Sequence, residues 1–260
     1  MWKKIKRVYF EQAQLPTVIK KDDQYRVFYS YRINGKSVIN YFEIDLKSLN
    51  ITYQNKKPVL ELGKTGCFDD SGVMPSFIKD DILYYTGWNT NKGCVPYGHG
   101  IGMAIFNYKK NKFERLYDWP VLDRSEEIPY LANSPCVFKN NMYFCNGTGW
   151  FKKMPLYNIS LAKYCKKWIF NKTITGKKNE ACSRPFLHKN KLYFSKKTIK
   201  KNYEIFSYDL KDKKTKKVLS KSKYGWDSDM VCYPWIEDNI MFYNGNNYGE
   251  TGIGVAKWNI

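Results

Sequence analysis

Apolar and polar residues alternate along this chain in short runs of strand length, separated by clusters of Asp, Asn, Lys and Gly. One unit recurs five times: QLPTVIKKDDQYRVFY (14–29), VMPSFIKDDILYY (73–85), NSPCVFKNNMYF (133–144), SRPFLHKNKLYF (183–194) and CYPWIEDNIMFY (232–243). Every copy reads x-Pro, a short apolar run, a polar turn and an aromatic run. A polar turn between two such runs predicts a β-hairpin. Proline near the start of a strand sits where a missing ladder donor is tolerated. The marker prolines are Pro16, Pro75, Pro135, Pro185 and Pro234, so successive copies lie 59, 60, 50 and 49 residues apart.

A third strand is expected after each hairpin, over 37–44, 100–107, 156–164, 203–208 and 252–258. A more charged fourth segment follows, as in Phe113-Glu114-Arg115-Leu116-Tyr117. Four strands repeated every ~50 residues is the period of a propeller blade. The expected fold is therefore all-β: a five-bladed β-propeller with four-stranded blades, one domain over residues 1–260. The last copy has only three strands. The stretch Lys6-Arg7-Val8-Tyr9-Phe10 is expected to supply its outer strand, which closes the ring and removes the free edges. A protein-interaction propeller of the WD-repeat class is disfavoured, because the GH…WD signature and its ~40-residue period are missing.

Composition agrees with this picture. The chain is 43% hydrophobic and 17% aromatic, which excludes global disorder and leans towards sheet. No apolar run reaches the ~18–20 residues of a membrane span, and no apolar stretch follows the basic start of the chain, so a cytoplasmic location is expected. The seven cysteines form no CxxC pair and no zinc spacing with His99 and His188. Reduced thiols, no metal and no cofactor are expected. The net charge is +20, mostly lysine in predicted turns. Such charge is either a solvated rim or an attraction to something anionic: a nucleotide-sugar, an acidic or lipid-linked glycan, or a membrane surface. No nucleic-acid motif accompanies it, so nucleic acid is not an expected partner.

First strands of a propeller line the central channel, and residues just before the marker prolines are expected around its mouth. A carboxylate lies five residues before the proline in four copies: Glu11, Asp70, Glu180 and Asp229. The third copy has Tyr130 there, with Glu126 and Glu127 slightly earlier. Glycosidic-bond chemistry needs an acid and a second carboxylate as base or nucleophile. The catalytic candidates are Asp70, Glu127, Asp227 and Asp229. The same residues could equally cap turns or pair with lysines. For substrate binding the candidates are Arg32, Trp88, Trp150, Glu180, Arg184, Tyr233, Asn244 and Asn246. Aromatics at strand ends offer stacking faces, and side-chain amides suit sugar hydroxyls. Arg184 immediately precedes a marker proline, and a buried arginine calls for an anionic partner. His99, in Tyr97-Gly98-His99-Gly100, reads as a loop residue.

The series FDDSGVMPS (68–76), LYYTGWN (83–89), EIPY (127–130), NSP (133–135), GWDSDMVCYP (225–234) and FYNGNNYGETGIGVA (242–256) resembles a bacterial family of five-bladed propellers, over essentially the whole chain. Members are similar to glycoside hydrolase families 32 and 43, which hydrolyse fructosides, arabinosides and xylosides, and are often encoded among capsule and other surface-polysaccharide genes. The resemblance implies a carbohydrate-active propeller acting on a glycosidic or sugar-phosphate bond in glycan assembly, as a glycosyltransferase or a glycoside hydrolase-like enzyme. Its alternative is a non-catalytic glycan-binding propeller. One departure bears on that choice. Those hydrolases carry acids on their first, third and fourth blades, and the corresponding first-strand positions here read Leu15-Pro16, Ser134-Pro135 and Arg184-Pro185.

Overall fold

A computed structural model describes residues 1–91 and 93–259. Regular structure is almost entirely strand, in antiparallel runs of four. The first run is β2 (Gln14–Lys21), β3 (Gln24–Ile33), β4 (Lys36–Asp45) and β5 (Ile51–Gln54). It is followed by β6 (Gly72–Lys79), β7 (Ile82–Thr90), β8 (Tyr97–Asn107) and β9 (Lys112–Arg115). The third contains β10 (Ala132–Phe138), β11 (Asn141–Phe151), β12 (Met154–Cys165) and β13 (Lys167–Thr175). The fourth contains β14 (Glu180–His188), β15 (Lys191–Thr198), β16 (Glu204–Asp209) and β17 (Thr215–Leu219). The last joins β18 (Cys232–Glu237), β19 (Ile240–Asn244) and β20 (Ile253–Trp258) to the N-terminal β1 (Trp2–Tyr9). A tight four-residue turn, α1 (Asn246–Gly249), in which Asn247 (φ 51°) and Tyr248 (φ 59°) are left-handed, links β19 to β20. Among the described residues no helix is long and apolar enough to cross a membrane.

Within each run the outermost strand is the least buried. Six of the seven residues of β10 are buried, whereas all four of β5 are exposed. Continuous apolar runs suit strands covered on both faces, whereas the lysine-bearing β13 and β17 are mostly exposed. Much of the positive charge is thereby placed on the outer strands and their turns. The first strands pack together at the centre: β2 touches β6, β6 touches β10, β10 touches β14, β14 touches β18, and β18 touches β2.

A β-bulge interrupts every first strand at its marker proline, between Gln14 and Thr17, Pro75 and Phe77, Asn133 and Cys136, Ser183 and Phe186, and Cys232 and Trp235. In four of the five the residue before the proline is left-handed: Leu15 (φ 60°), Ser134 (51°), Arg184 (57°) and Tyr233 (58°). Each costs on the order of 1 kcal/mol or more for a non-glycine residue. The bulge frees a backbone N–H, and a side chain of the preceding run accepts it. Thr86 Oγ1 takes the Ser134 N–H (2.9 Å), Cys145 Sγ the Arg184 N–H (3.2 Å), Ser195 Oγ the Tyr233 N–H (2.6 Å) and Asn244 Oδ1 the Leu15 N–H (2.8 Å). Between the first and second runs, Ser30 Oγ donates to the Val73 carbonyl at 3.4 Å. These polar contacts stitch neighbouring runs at equivalent places, and they offset the strain.

Four thiols, Cys136, Cys145, Cys182 and Cys232, are buried. Burial pushes the first three up to about 12 and the last higher still, so all are neutral at physiological pH.

Candidate functional site

The residues before the marker prolines surround a central cavity of about 850 Å³, lined by Gln14, Leu15, Met74, Asn133, Ser134, Ser183 and Tyr233 from all five first strands. The bulges bear on this: Leu15, Ser134 and Tyr233, left-handed at their bulges, all line the cavity. Second and third strands add Thr86, Trp88, Tyr97, His99, Tyr157 and Lys197, the loop before β16 adds Tyr203, and α1 adds Tyr248.

One wall is built around Trp88. Its Nε1–H donates to Ser37 Oγ at 2.7 Å, and the Arg32 guanidinium lies 5.5 Å from its ring centre. Gly72 makes room for the indole, since a Cβ there would stand 2.1 Å from Nε1. Arg32 also donates to the Gly35 carbonyl at 2.8 Å. Elsewhere in the lining Tyr203, Tyr233 and Tyr248 cluster, with ring centres 6.0–6.4 Å apart. Lys197 is 9% exposed. Its Nζ donates to the Tyr248 hydroxyl at 3.1 Å and lies over the Tyr203 and Tyr248 rings at 4.8 and 5.2 Å. Burial raises the Tyr157, Tyr203 and Tyr233 hydroxyls well above their ordinary value, so they stay protonated.

His99 stacks on Tyr97 at 4.8 Å, and its Nδ1 lies 3.0 Å from the Asn133 side-chain nitrogen. An amide nitrogen only donates, so Nδ1 accepts and Nε2 carries the proton. Burial lowers the imidazole to about 3, and the ring is neutral. His99 thus belongs to the third strand β8 and to the cavity wall, where the sequence had read a loop residue.

The cavity carries Arg32, Lys152, Lys153 and Lys197 and, among the described residues, no aspartate or glutamate. Of the residues predicted from sequence, the structure brings Arg32, Trp88 and Tyr233 together on its wall. Trp150 stands behind it, edge-on to Tyr97 at 5.3 Å. The other candidates lie elsewhere. Asp70 closes its own turn, accepting from Gly66 N–H and Ser71 Oγ at 2.9 Å each. Glu127 accepts from Ser125 Oγ at 2.9 Å on the exposed surface, and hydrogen bonding lowers its carboxyl. Asp229 is exposed and accepts from Asn202 Nδ2 at 2.7 Å. Glu180 pairs with Lys196 at 3.5 Å. Glu11 lies at a separate cavity of about 480 Å³ beside Tyr9 and Gln54.

Asp227 has a counterpart that sequence reasoning missed. It is 2% exposed and holds Lys4 Nζ (2.6 Å) and the Tyr243 hydroxyl (3.1 Å), with Trp226 stacked on Tyr243. Asp69 repeats the arrangement in the second run: it holds Arg115 Nε (2.8 Å) and the Tyr85 hydroxyl (2.9 Å), with Phe68 stacked on Tyr85. In both, a loop carboxylate ties the second strand to the outermost strand. The aromatic-Asp pairs Phe68-Asp69 and Trp226-Asp227 were the available signal.

Asn244 is fully buried, donating to the Ala13 and Gly252 carbonyls at 2.6 and 3.1 Å while accepting from Leu15. Asn246 orders the loop before β18, its Oδ1 accepting from Asp229 and Met230 N–H at 2.7 and 3.1 Å. Both amides are thus engaged by backbone. Arg184 is 1% exposed and finds no carboxylate. Its guanidinium donates to the Pro16 carbonyl (2.9 Å), the Pro75 carbonyl (2.5 Å) and Thr17 Oγ1 (2.7 Å), with Trp235 beside it at 6.0 Å. Backbone dipoles replace the anionic partner expected from sequence, and burial lowers the group to about 9, still charged at neutral pH.

No family model matches the chain. It is 28% identical to the uncharacterized protein Rv1502 of Mycobacterium tuberculosis, over 98% of both chains. Among solved structures it is similar to a protein described as a glycoside hydrolase, with a TM-score of 0.70, 13% identity, and 100% of this chain and 93% of that one covered. A thermostable family-43 glycoside hydrolase matches with a TM-score of 0.60 at 13% identity, over 95% and 88% of the two chains. A family-32 β-fructofuranosidase of Bombyx mori, in complex with sucrose, matches with a TM-score of 0.61 at 15% identity, over 98% of this chain and 60% of that longer one. At such identities the likeness is one of fold: an all-β, propeller-type architecture shared with families 32 and 43.

Proposed function

We propose that the chain is a single-domain, five-bladed propeller over residues 1–260, its ring sealed by β1 on β20, and that its central cavity binds an acidic saccharide. Four equivalent stitches between runs, one of them joining the last run to the first, and the contacts among all five first strands support the ring. The cavity lining carries the functional reading: Arg32, Lys152, Lys153 and Lys197 around a tryptophan and a tyrosine cluster, with no aspartate or glutamate among the described lining residues. Aromatic faces stack on sugar rings, tyrosine hydroxyls and the His99 Nε2–H address sugar hydroxyls, and cations take up a carboxylate or phosphate. Two-carboxylate hydrolysis needs acids about 5–9.5 Å apart across the scissile bond, and this lining supplies none. The non-catalytic glycan-binding alternative therefore fits the cavity better than hydrolysis, and the carbohydrate role accords with the glycoside hydrolases that share the fold.

Tryptophan fluorescence, with Trp88 in the wall, tests this. Glucuronate, galacturonate or a hexose phosphate is expected to bind, and glucose to bind at least tenfold more weakly. Lys197→Met and Arg32→Met are expected to weaken the acidic ligands and leave glucose unchanged. Equal affinity for neutral and acidic sugars, or turnover of aryl glycosides by the wild type, would overturn the reading.

A further inference from the structure

A second cavity of about 570 Å³ adjoins the central one. The two share Met154, Lys197, Ile199 and Tyr248, and the second continues past Thr198 to Lys200, Lys201, Asn202, Glu204 and Lys221. Lys197 and Tyr248 stand at the junction and belong to both. The outer cavity is also rich in cations, with Lys197, Lys200, Lys201 and Lys221 against a single carboxylate among its lining residues. Its one carboxylate, Glu204, is engaged by Lys217 at 3.2 Å. Nearby Asp229 accepts from Asn202 instead. Among the described residues Lys197, Lys200, Lys201 and Lys221 form no ion pair within 4 Å, although ten such pairs are made elsewhere. Backbone turns fix the lip: Lys201 N–H donates to Thr198 Oγ1 at 3.2 Å, and the Thr198 and Lys201 backbones bond each other. Ile199 and Tyr248 expose apolar surface along the same path, 39% and 37% exposed.

Two confluent cavities with unpaired cations at the far end, at the junction and in the inner chamber do not match a ligand with a single charge. We infer that the two cavities form one continuous track for a linear glycan bearing anionic groups on more than one of its residues. An acidic residue sits in the central cavity, and the chain continues over Lys197 and Tyr248 to place a further anion among Lys200, Lys201 and Lys221. This rests on the reading of the central cavity given above and adds length and repeated charge to it. The anion is a uronate carboxylate or a phosphodiester, which the same cations recognise alike.

Calorimetric titration with galacturonate, its trimer and its hexamer, with maltohexaose, and with a phosphodiester-linked oligomannose tests it. The variants are Lys200→Ser/Lys201→Ser/Lys221→Ser, all exposed and remote from the core, and Lys197→Met. Wild type is expected to gain at least tenfold in affinity from monomer to hexamer. The triple variant is expected to lose that gain while keeping its affinity for the monomer, whereas Lys197→Met weakens both. A comparable gain with oligogalacturonate or with the phosphodiester chain identifies the source of the anion, and either supports the track. Monomer binding with no gain in length would overturn the track and leave the central site standing. Failure of every acidic sugar to bind would remove both. A gain matched by maltohexaose, or by an oligodeoxythymidylate of equal charge, would overturn the inference, because it would show apolar contact alone or unselective polyanion binding.

Discussion

Asn244 Oδ1 accepts the backbone N–H of Leu15 at 2.8 Å, joining two residues 229 positions apart in sequence. Leu15 is left-handed, and its neighbour Ala13 is held by the same amide. Asn244→Ala leaves a buried N–H and two carbonyls without that partner, which costs about 3 kcal/mol or more. The melting temperature is expected to fall by roughly 6–12 °C. Ligand affinity, measured below that transition, is expected to stay unchanged. Weakened binding at full stability would instead restore Asn244 to a sugar-contacting role.

Asp227→Asn and Asp69→Asn are expected to act on stability. Each removes the anion from a carboxylate that is nearly inaccessible while its cationic partner stays partly solvated. That partial solvation limits the cost to about 2–3 kcal/mol. Thermal unfolding checks the loss, and titration with an acidic sugar checks that the cavity is unaffected. If Asp227→Asn abolished a sugar-transfer activity at unchanged stability, the carboxylate would be catalytic after all.

His99 makes stability depend on pH in a defined sense. Its folded form titrates at about 3 against 6.5 when exposed. The unfolded chain binds the proton first, so stability is full above about 6.5 and declines as pH falls from there towards 3. Burial lowers His188 as well, in the same direction. The specific contribution is therefore read by difference: the denaturant midpoint of His99→Gln is expected to vary less between pH 6.5 and 4 than that of wild type. Parallel profiles would show that the imidazole is hydrated.

Thiol alkylation should divide the cysteines. Cys94 and Cys165 are exposed and are expected to react with iodoacetamide in the folded protein, with Cys67 slower. Cys136, Cys145, Cys182 and Cys232 are expected to react only in denaturant, as peptide mass mapping would show. Early modification of Cys145 would mean that its bond from the Arg184 N–H opens readily.

The hairpins were legible because each copy carries its own marker proline, its own turn and a change to aromatic residues. β10 and β11, for instance, follow from Pro135 and the Lys139-Asn140-Asn141 turn. The first-strand residues that line the cavity were legible for the same reason, since they lie within two residues before those prolines. The fate of the acids was not. Asp70, Glu180 and Asp229 share a sequence offset, but Asp70 and Asp229 lie in loops while Glu180 opens β14, and each is aimed by its own local hydrogen bonds. Outnumbered by 44 lysines and arginines, the 24 acids are also readily drawn to surface cations. Lys197, Tyr203 and Tyr248 left no sequence signal, since they meet only when β15, the loop before β16 and α1 converge.

The pairing of β1 with β20 has a consequence for biosynthesis. Strand β1 must wait for a partner made much later: it pairs with β20, and Trp2 packs edge-on against Trp258, far downstream in the chain. At ordinary translation rates of about 5–20 residues per second that wait is about 10–50 s. For that interval the nascent chain presents Trp2, Val8 and Tyr9 unsheltered. A holding chaperone on the nascent chain would guard a segment that cannot be seated until β20 has emerged.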